Sequence, residues 1–457
     1  MDNNLNKYDV IMNDFLQKEG ELTDSQEEEL GEWLKRCESE INQLQKRKFL
    51  VARILDYRNL IKQGKTFEEI SKYLEEDEKI VEFAELFLKS NLQLKNTMFG
   101  YPANSKDDTA TVEYLRFLEG KLPLINGCGD PNEQGNYKMD NKQIENKIID
   151  LFCKNLNLDR KDYWGYITSG GTEGNFWGLR EGFSKYEDGT LYYSEESHYS
   201  VNKFANQGNR QIYENIEIQT KDGIIDIEDL INKCRTNWEE RKKPAILLLT
   251  WGTTKTGAID NVEEIKKRLM ELKIPHYIHL DAAFYGGIPK NQEEAPILDL
   301  SELGVDSVSV SLHKYLGNPK VNGVIISNKY KTHKFIDYIG QEDSTYLGSR
   351  DFLPFSTYQR VKETFERSDP KEYCTNINLF IEQASKAGMC PERKGKGNIF
   401  VIKKPSDELC MKYQLATFEE NNEEFAHIII TPGHKKEDIE NLVADLQKEL
   451  GLDLGER

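Results

Sequence analysis

The stretch Ser307-Val308-Ser309-Val310-Ser311-Leu312-His313-Lys314 decides which fold class this sequence predicts. Its alternating β-branched residues are typical of a β-strand, and the strand ends in a lysine. A lysine at the end of a buried strand costs free energy unless it is paired or takes part in chemistry. Lys314 is therefore a candidate catalytic residue, and the rest of the sequence can be searched for groups that would act with it.

Two upstream stretches supply such groups. Residues 277–283 (Tyr-Ile-His-Leu-Asp-Ala-Ala) predict an apolar strand that delivers Asp281, and residues 168–175 (Thr-Ser-Gly-Gly-Thr-Glu-Gly-Asn) predict a glycine-rich turn before a helix. Backbone N–H groups at such a helix start suit a phosphate. A phosphate-binding turn, an acid and a lysine are the groups that hold pyridoxal 5'-phosphate (PLP). In that interpretation Asp281 keeps the pyridine nitrogen protonated and Lys314 forms the Schiff base.

The bulk composition is that of a globular protein. The chain has 457 residues and a formal net charge of −18, which argues against a general surface for nucleic acid or anionic membranes. Its start lacks the basic flank and apolar core of a signal peptide, and no apolar run is long enough to span a bilayer. The seven cysteines are scattered without CxxC or zinc spacing, so we expect reduced thiols in a cytoplasm.

The order of predicted elements indicates an α/β protein of three parts. Residues 1–95 predict a helical N-terminal extension or dimer arm rather than a separate functional module. Strands alternate with helices from about residue 140 to 345, which predicts a large domain, residues 96–350, around a mainly parallel sheet. Residues 351–457 predict a small α+β C-terminal domain. Ligands of parallel sheets bind at the carboxyl ends of strands, where both Asp281 and Lys314 fall.

Periodicity also predicts the individual elements. Predicted helices occupy residues 41–57, 67–87, 109–120, 142–155, 175–183, 227–234 and 262–272, with a long helix from about 355 and a last helix at 436–450. Besides the two strands quoted above, predicted strands occupy residues 163–168, 190–194, 212–218, 245–250, 323–327, 399–402 and 426–431.

Two residues, Ala283 and His198, are candidates for contacting the two faces of the cofactor ring. Ala283 lies two positions after Asp281, on the same strand face, and is small enough to let the ring lie flat. His198 follows the strand at 190–194, and its imidazole would stack on the opposite ring face. Taken alone, Asp281 is more typical of a strand-end cap, and His198 is equally consistent with a hydrogen-bonded loop histidine.

Three further candidates follow strand ends. Thr253 would reach the phenolic oxygen of the cofactor, and Ser311 and His313 would bind the phosphate or surround the lysine. A metal site is not expected, although His276 and His279 lie near Asp281. The two histidines differ by an odd number of positions on a strand, so they point to opposite faces.

As an ordered set, these motifs resemble the group II PLP-dependent decarboxylases of fold type I, and most of all the branch of bacterial histidine decarboxylases and plant serine decarboxylases. The similarity covers about residues 95–457. The pieces that carry it are Phe99-Gly100-Tyr101-Pro102, Cys128-Gly129-Asp130-Pro131, Gly170-Gly171-Thr172-Glu173-Gly174-Asn175, Gly189-Thr190-Leu191-Tyr192-Tyr193-Ser194, His198-Tyr199-Ser200, Gly252-Thr253-Thr254, Asp281-Ala282-Ala283, Ser311, His313-Lys314 and Gly348-Ser349-Arg350.

The resemblance implies a seven-stranded, mainly parallel sheet and a role for each motif. It makes Lys314 the PLP lysine, Asp281 the pyridine partner and His198 the stacking imidazole. The phosphate turn comprises Gly170, Gly171 and Thr172. Ser349 would contact the phosphate from a partner subunit, which implies a homodimer with shared active sites.

The resemblance further implies decarboxylation of an L-amino acid to its amine and CO2, with histidine the first expectation and serine the next. Aromatic or acidic amino acids, a PLP lyase or an aldehyde synthase on the same scaffold, and a catalytically silent binding protein are the alternatives. The candidate substrate residues are Tyr101, Asn104, Glu342 and Tyr346. The usual Asn-Gly-His of the branch is replaced here by Asp351-Phe352-Leu353.

Overall fold

The computed structural model describes residues 97–105, 126–137, 141–207, 210–328, 334–350 and 354–449, together with Leu86 and Leu94. Apart from Leu86, all of them belong to one compact unit that comprises residues 94–457. The helices predicted at 41–57, 67–87 and 109–120 lie outside the described residues, except for Leu86, which is helical. The three-part division at residues 95 and 350 stays a prediction.

A seven-stranded mixed sheet forms the centre of this unit. Its strand order is β1-β11-β10-β9-β8-β2-β5. Strands β10, β9, β8, β2 and β5 run parallel, whereas β11 is antiparallel to both of its neighbours, β1 and β10. The predicted α/β fold with a mainly parallel seven-stranded sheet is thus confirmed. The strands are β1 Tyr163–Thr168, β2 Thr190–Ser194, β5 Asn215–Ile218, β8 Ala245–Thr250, β9 His276–Asp281, β10 Ser307–Ser311 and β11 Gly323–Asn328.

Helices pack on the sheet and bury both faces of its central strands. Every residue of β8 is buried, as expected for a central strand of a covered parallel sheet. Asp226 caps one of these helices by accepting hydrogen bonds from the backbone N–H groups of Glu228 and Asp229. The helices of this part are α1 Lys142–Asn155, α2 Gly171–Lys185, α3 Ser200–Ala205, α4 Ile227–Arg241, α5 Val262–Glu271 and α6 Leu300–Leu303, with short 3₁₀ helices at Arg160–Asp162 and Tyr285–Gly287.

The C-terminal part is an antiparallel sheet covered by helices. Its strand order is β14-β15-β17-β16, and Phe380 packs against Phe400 between helix and sheet, with 4.7 Å between ring centroids. Its strands are β14 Glu392–Arg393, β15 Ile399–Lys403, β16 Ala416–Glu420 and β17 Glu423–Ile429, and its helices are α7 Pro354–Arg367, α8 Glu372–Lys386, α9 Asp407–Lys412 and α10 Lys436–Glu449. Within the described residues, no helix combines the length and apolarity needed to cross a bilayer.

One predicted helix and one strand start are wrong for identifiable reasons. The single long helix expected after residue 355 is two helices, α7 and α8, because Pro370 between them lacks the N–H group and the conformational freedom to continue a helix. The strand expected from residue 212 begins at Asn215. The N–H groups of Ile212 and Tyr213 bond instead to the carbonyl oxygen of Ala205, away from the sheet.

The two strands that deliver the key residues are shorter than predicted. Strand β9 ends at Asp281, and β10 ends at Ser311, three residues before Lys314. The chain turns there, since the carbonyl oxygen of Lys314 accepts hydrogen bonds from the N–H groups of Gly317 and Asn104. Short ladders that the periodicity did not predict are β3 Asn206–Gln207 with β4 Arg210–Gln211, β6 Thr220–Lys221 with β7 Ile224–Ile225, and β12 Lys334–Ile336 with β13 Gln341–Asp343.

Candidate active site

A cavity of about 760 Å³ opens at the carboxyl ends of β8, β9 and β10. This is the edge of a parallel sheet at which ligands bind. The cavity is lined by Gly100, Tyr101, Pro102, Ser169, Gly170, Gly171, Thr172, Glu173, Asn175, Phe176, His198, Tyr199, Gly252, Thr253, Thr254, Asp281, Ala283, Phe284, Ser311, His313, Lys314, Val321, Tyr346, Leu347, Ile399, Ala416, His427 and Ile429.

The glycine-rich turn forms one wall of the cavity. Helix α2 begins at Gly171, four residues earlier than predicted, so the first-turn N–H groups lie at the turn itself. Glu173 holds the turn in place, because its Oε2 accepts a 2.7 Å hydrogen bond from the Ser169 N–H. A Cβ atom on Gly171 would lie 2.5 Å from the Ser311 hydroxyl oxygen, so only glycine allows this close approach to β10. The arrangement fits a phosphate group.

Asp281 is the last residue of β9 and is only 5% exposed. Its Oδ2 accepts a 2.7 Å hydrogen bond from the Asn175 side-chain amide, and its Oδ1 accepts a 3.0 Å bond from the Ala283 N–H. An ionised carboxylate offers about four lone-pair sites. Sites therefore remain on Asp281 for a protonated ring nitrogen, and the residue fits the cofactor.

Lys314 lies in the turn after β10 and lines the same cavity as Asp281. Burial lowers the pKa of its ammonium group from the usual 10.5, and the negative charge of Asp281 acts in the opposite direction. A lowered pKa increases the neutral fraction of the amine, which is the nucleophilic form. The position therefore suits a lysine that attacks an aldehyde.

His198 also lines the cavity, and its ring Nδ1 lies 2.8 Å from the Ser200 hydroxyl oxygen. Burial lowers the pKa of this imidazole below 6.5. Asp281 opposes the shift by its charge, whereas Lys314 and Lys203 add to it. His198 is therefore a neutral ring near neutral pH, which suits stacking on another aromatic ring.

Four other predicted cofactor residues, Thr253, Ala283, Ser311 and His313, come together around the same cavity. The Thr253 hydroxyl oxygen accepts a 3.0 Å hydrogen bond from the Ala258 N–H, which fixes the turn after β8. The His313 Nδ1 donates to the carbonyl oxygen of Asn322, 3.1 Å away, because a carbonyl can only accept.

The candidate substrate residues divide into two groups. Tyr101 and Tyr346 line the cavity, with exposed fractions of 48% and 39%. Asn104 and Glu342 are not among its lining residues. The backbone N–H of Asn104 bonds to the Lys314 carbonyl oxygen, and Glu342 lies on β13. Ser349, the predicted contact to a partner subunit, is exposed and outside the lining as well.

Two sets of residues at or next to the cavity were missed in the sequence. Asn175 and His279 belong to the hydrogen-bonded surroundings of Asp281. The period-2 alternation of a strand places His279 on the same face as Asp281, and this signal would have found it. The second set comes from the C-terminal sheet, for which the sequence carries no local signal, and consists of Ile399, Ala416, His427 and Ile429.

Comparison with known proteins identifies the family. A family model described as the pyridoxal-dependent decarboxylase conserved domain matches residues 185–362. The chain is 32% identical to a histidine decarboxylase of Klebsiella aerogenes over 371 residues, which cover 77% of this chain and 94% of that protein. The chain belongs to the pyridoxal-dependent decarboxylases. A histidine decarboxylase of Morganella morganii is 31% identical over 373 residues, which cover 79% of this chain and 94% of that relative.

A solved structure agrees with the fold of this decarboxylase. The L-methionine decarboxylase of Streptomyces sp. 590 superposes with a TM-score of 0.69 at 19% sequence identity, covering 82% of this chain and 95% of that one. The enzyme is a PLP-dependent amino-acid decarboxylase, and the fold and cofactor predicted from the sequence are confirmed. When bound, PLP supplies the protonated ring that withdraws the electron pair left on Cα as CO2 departs.

Proposed function

We propose that this decarboxylase converts L-histidine to histamine and CO2. The observation that carries the proposal is its 31–32% identity to several proteins named histidine decarboxylase, spanning up to 94% of their length. The cavity is consistent with it, because an imidazole side chain and a cofactor together fit a volume of about 760 Å³.

In this proposal each residue of the cavity makes a different contact with the cofactor. Lys314 attaches the cofactor, and Asp281 pairs with the ring nitrogen and keeps it protonated. His198 covers the exposed ring face opposite Ala283. The first-turn N–H groups of α2, from Gly171 onward, bind the phosphate together with the Ser311 hydroxyl.

The residues that line the cavity around the substrate side chain determine which amino acid is accepted. Tyr101 and Tyr346 are the first candidates to meet the substrate side chain, since both line the cavity. Asn104 and Glu342 do not line the cavity and remain candidates for an indirect effect on substrate specificity. An imidazole presents two ring nitrogens, and each needs a partner because an unmatched buried polar group costs about 1–3 kcal/mol.

We also propose a homodimer with shared active sites. Three exposed residues, Tyr346, Leu347 and Ser349, occupy one loop, and the first two lie at the cavity. A second copy of the chain that covers this loop would bring its own Ser349 towards the neighbouring phosphate. A cytoplasmic location is proposed as well, because the six cysteines of the described residues are free thiols.

The function is tested by competition among equimolar histidine, serine, tyrosine and glutamate, with the Lys314→Ala variant as the control. Histamine should be the dominant amine, formed with equimolar CO2 and without aldehyde, ammonia or peroxide. Preference for another of the four would overturn histidine as the substrate. Release of aldehyde or a keto acid would favour an aldehyde synthase or a lyase.

A further inference from the structure

A chain of buried side chains leads away from Asp281 into the protein. The Asn175 amide Nδ2 donates to Asp281, and the Asn175 Oδ1 lies 3.0 Å from the Nε2 of His279. On the other side of this imidazole, Nδ1 lies 2.7 Å from the Ser307 hydroxyl oxygen. The Tyr277 hydroxyl lies 2.9 Å from the same oxygen.

The chemistry of these groups fixes the direction of each hydrogen bond. A carboxylate only accepts, so the nitrogen of the Asn175 amide must face Asp281 and its oxygen must face His279. That oxygen can only accept, so the His279 Nε2 carries the hydrogen. The neutral ring then leaves Nδ1 as an acceptor, and the Ser307 hydroxyl must donate to it. Tyr277 donates to Ser307 in turn.

The oxygen of Asn175 is held from a second side as well. The Ser309 hydroxyl also donates to it, so the amide plane is fixed by two donors and one acceptor. All of these residues are at most 5% exposed, so water does not compete for their hydrogen bonds.

The packing of α2 on the sheet provides the space for this chain. A Cβ atom on Gly178 would lie 2.1 Å from the His279 Nδ1, and a Cβ atom on Gly174 would lie 2.7 Å from the Ser309 Cβ. Only glycine at these two positions lets the helix approach β9 and β10 closely enough for Asn175 to reach Asp281. The hydrogen bonds among Asn175, His279 and the serines therefore depend on the glycines at 174 and 178.

We propose that Asn175 and His279 are positioning residues, which hold the Asp281 carboxylate in the orientation that its pairing with the cofactor ring nitrogen requires. The inference rests on the proposed role of Asp281 and assigns the residues that make that role effective. Asn175 acts directly on the carboxylate, and His279 acts through Asn175 by keeping its amide from flipping.

The first test is a double-mutant cycle of Asn175→Ala with Asp281→Asn. In the wild-type background, Asn175→Ala should lower kcat about 10- to 100-fold, as loss of an orienting residue does elsewhere, with KM within about twofold. In the Asp281→Asn background, the same change should cost less than about twofold, because nothing remains to be positioned. Equal losses in both backgrounds would overturn the proposal.

Asn237→Ala is a matched control for general disruption. Asn237 is another buried asparagine, and its Nδ2 donates to the hydroxyls of Thr190 and Tyr192 within the same sheet. This variant should lower the melting temperature and leave kcat unchanged. If it lowered kcat as much as Asn175→Ala does, the effect at Asn175 would be structural and the proposal would fail.

His279 is tested by a conservative and a disruptive variant. A glutamine can donate to the Asn175 oxygen and accept from Ser307, so His279→Gln should recover most of the kcat that His279→Leu loses. Equal losses in the two variants would refute the role. The cofactor-free protein gives a readout independent of activity. Labelled-histidine NMR should show the neutral Nε2–H tautomer of His279, and the Nδ1–H tautomer would contradict the proposed directions of the hydrogen bonds.

These outcomes are separable from failure of the proposed function. If Asp281→Asn keeps wild-type turnover, Asp281 is not the ring partner, and the proposed function fails at that residue. If Asp281→Asn loses most of its turnover and Asn175→Ala costs the same factor in both backgrounds, only the positioning inference fails.

Discussion

The Asn175 side chain donates a 2.7 Å hydrogen bond to the Asp281 carboxylate across 106 positions of sequence. Asn175 lies four residues after Gly171, the first residue of helix α2, and a helix rises about 6 Å over that distance. One rigid helix therefore carries both the proposed phosphate-binding turn and the group that orients the acid. The spacing between these two cofactor contacts is set by helix geometry and not by flexible loops.

The first prediction concerns Asp281. An amide cannot hold the ring nitrogen protonated, so Asp281→Asn should lose about 4 kcal/mol of transition-state stabilisation, or roughly a thousandfold in kcat. Cofactor affinity should fall much less, because the phosphate turn and Lys314 are untouched. Steady-state kinetics and absorbance titration with PLP measure the two effects. Wild-type turnover in the variant would show that Asp281 does not pair with the ring.

The second prediction concerns the pH dependence of cofactor attachment. The neutral amine of Lys314 is the reactive form, and burial lowers its pKa from 10.5. The rate of covalent PLP uptake by the cofactor-free protein should therefore rise with pH to a midpoint below 10.5. Asp281→Asn removes the charge that opposes this shift, so its midpoint should lie lower still. A midpoint at 10.5, or an upward shift in the variant, would contradict the predicted environment of Lys314.

The third prediction concerns the stability of the fold and His279. Burial lowers the pKa of this imidazole from 6.5 to about 4. The unfolded chain therefore binds one more proton than the folded chain between those values, and stability falls as pH drops through that window. By pH 4.5 the wild type should have lost on the order of 2 kcal/mol more than His279→Gln, because the other buried histidines, such as His198, titrate in both proteins. Urea unfolding at pH 7 and pH 4.5 tests it, and parallel losses in both proteins would refute the prediction.

The fourth prediction concerns assembly. The Lys314→Ala and Ser349→Glu variants should each be inactive, the second because a carboxylate repels the phosphate of the neighbouring subunit. Mixed in equal amounts and reassembled, they should recover about a quarter of wild-type activity, since half of the dimers are mixed and each of these has one intact site. A fully active monomer in sedimentation, or no recovery on mixing, would contradict shared active sites.

The sequence alone predicted that Asp281 and Lys314 lie at the same cavity. Asp281 lies at the carboxyl end of one predicted strand and Lys314 at that of another, and chain topology places the carboxyl ends of parallel strands at one edge of a sheet. Strands β9 and β10 are indeed parallel neighbours. The rule needs only strand identity and direction, so errors of two or three residues at the strand ends did not affect it.

Contacts that depend on packing between distant parts of the chain were not predictable. Ile399, Ala416 and His427 reach the cavity from the C-terminal sheet, and no local periodicity reports which face of that sheet meets the cavity. The Asn175 bond to Asp281 depends on the close approach of α2, which the glycines at 174 and 178 allow. Such approach distances are properties of the assembled core and leave only a faint trace in sequence.

The most direct test of the account is the covalent attachment of PLP to Lys314. Borohydride reduction of the PLP-loaded protein, followed by peptide mapping, should place the label on Lys314 in stoichiometric amount, and Lys314→Ala should neither retain the label nor release histamine from histidine. Label on another lysine, or histamine formation by Lys314→Ala at the wild-type rate, would contradict the assignment of this cavity as the active site.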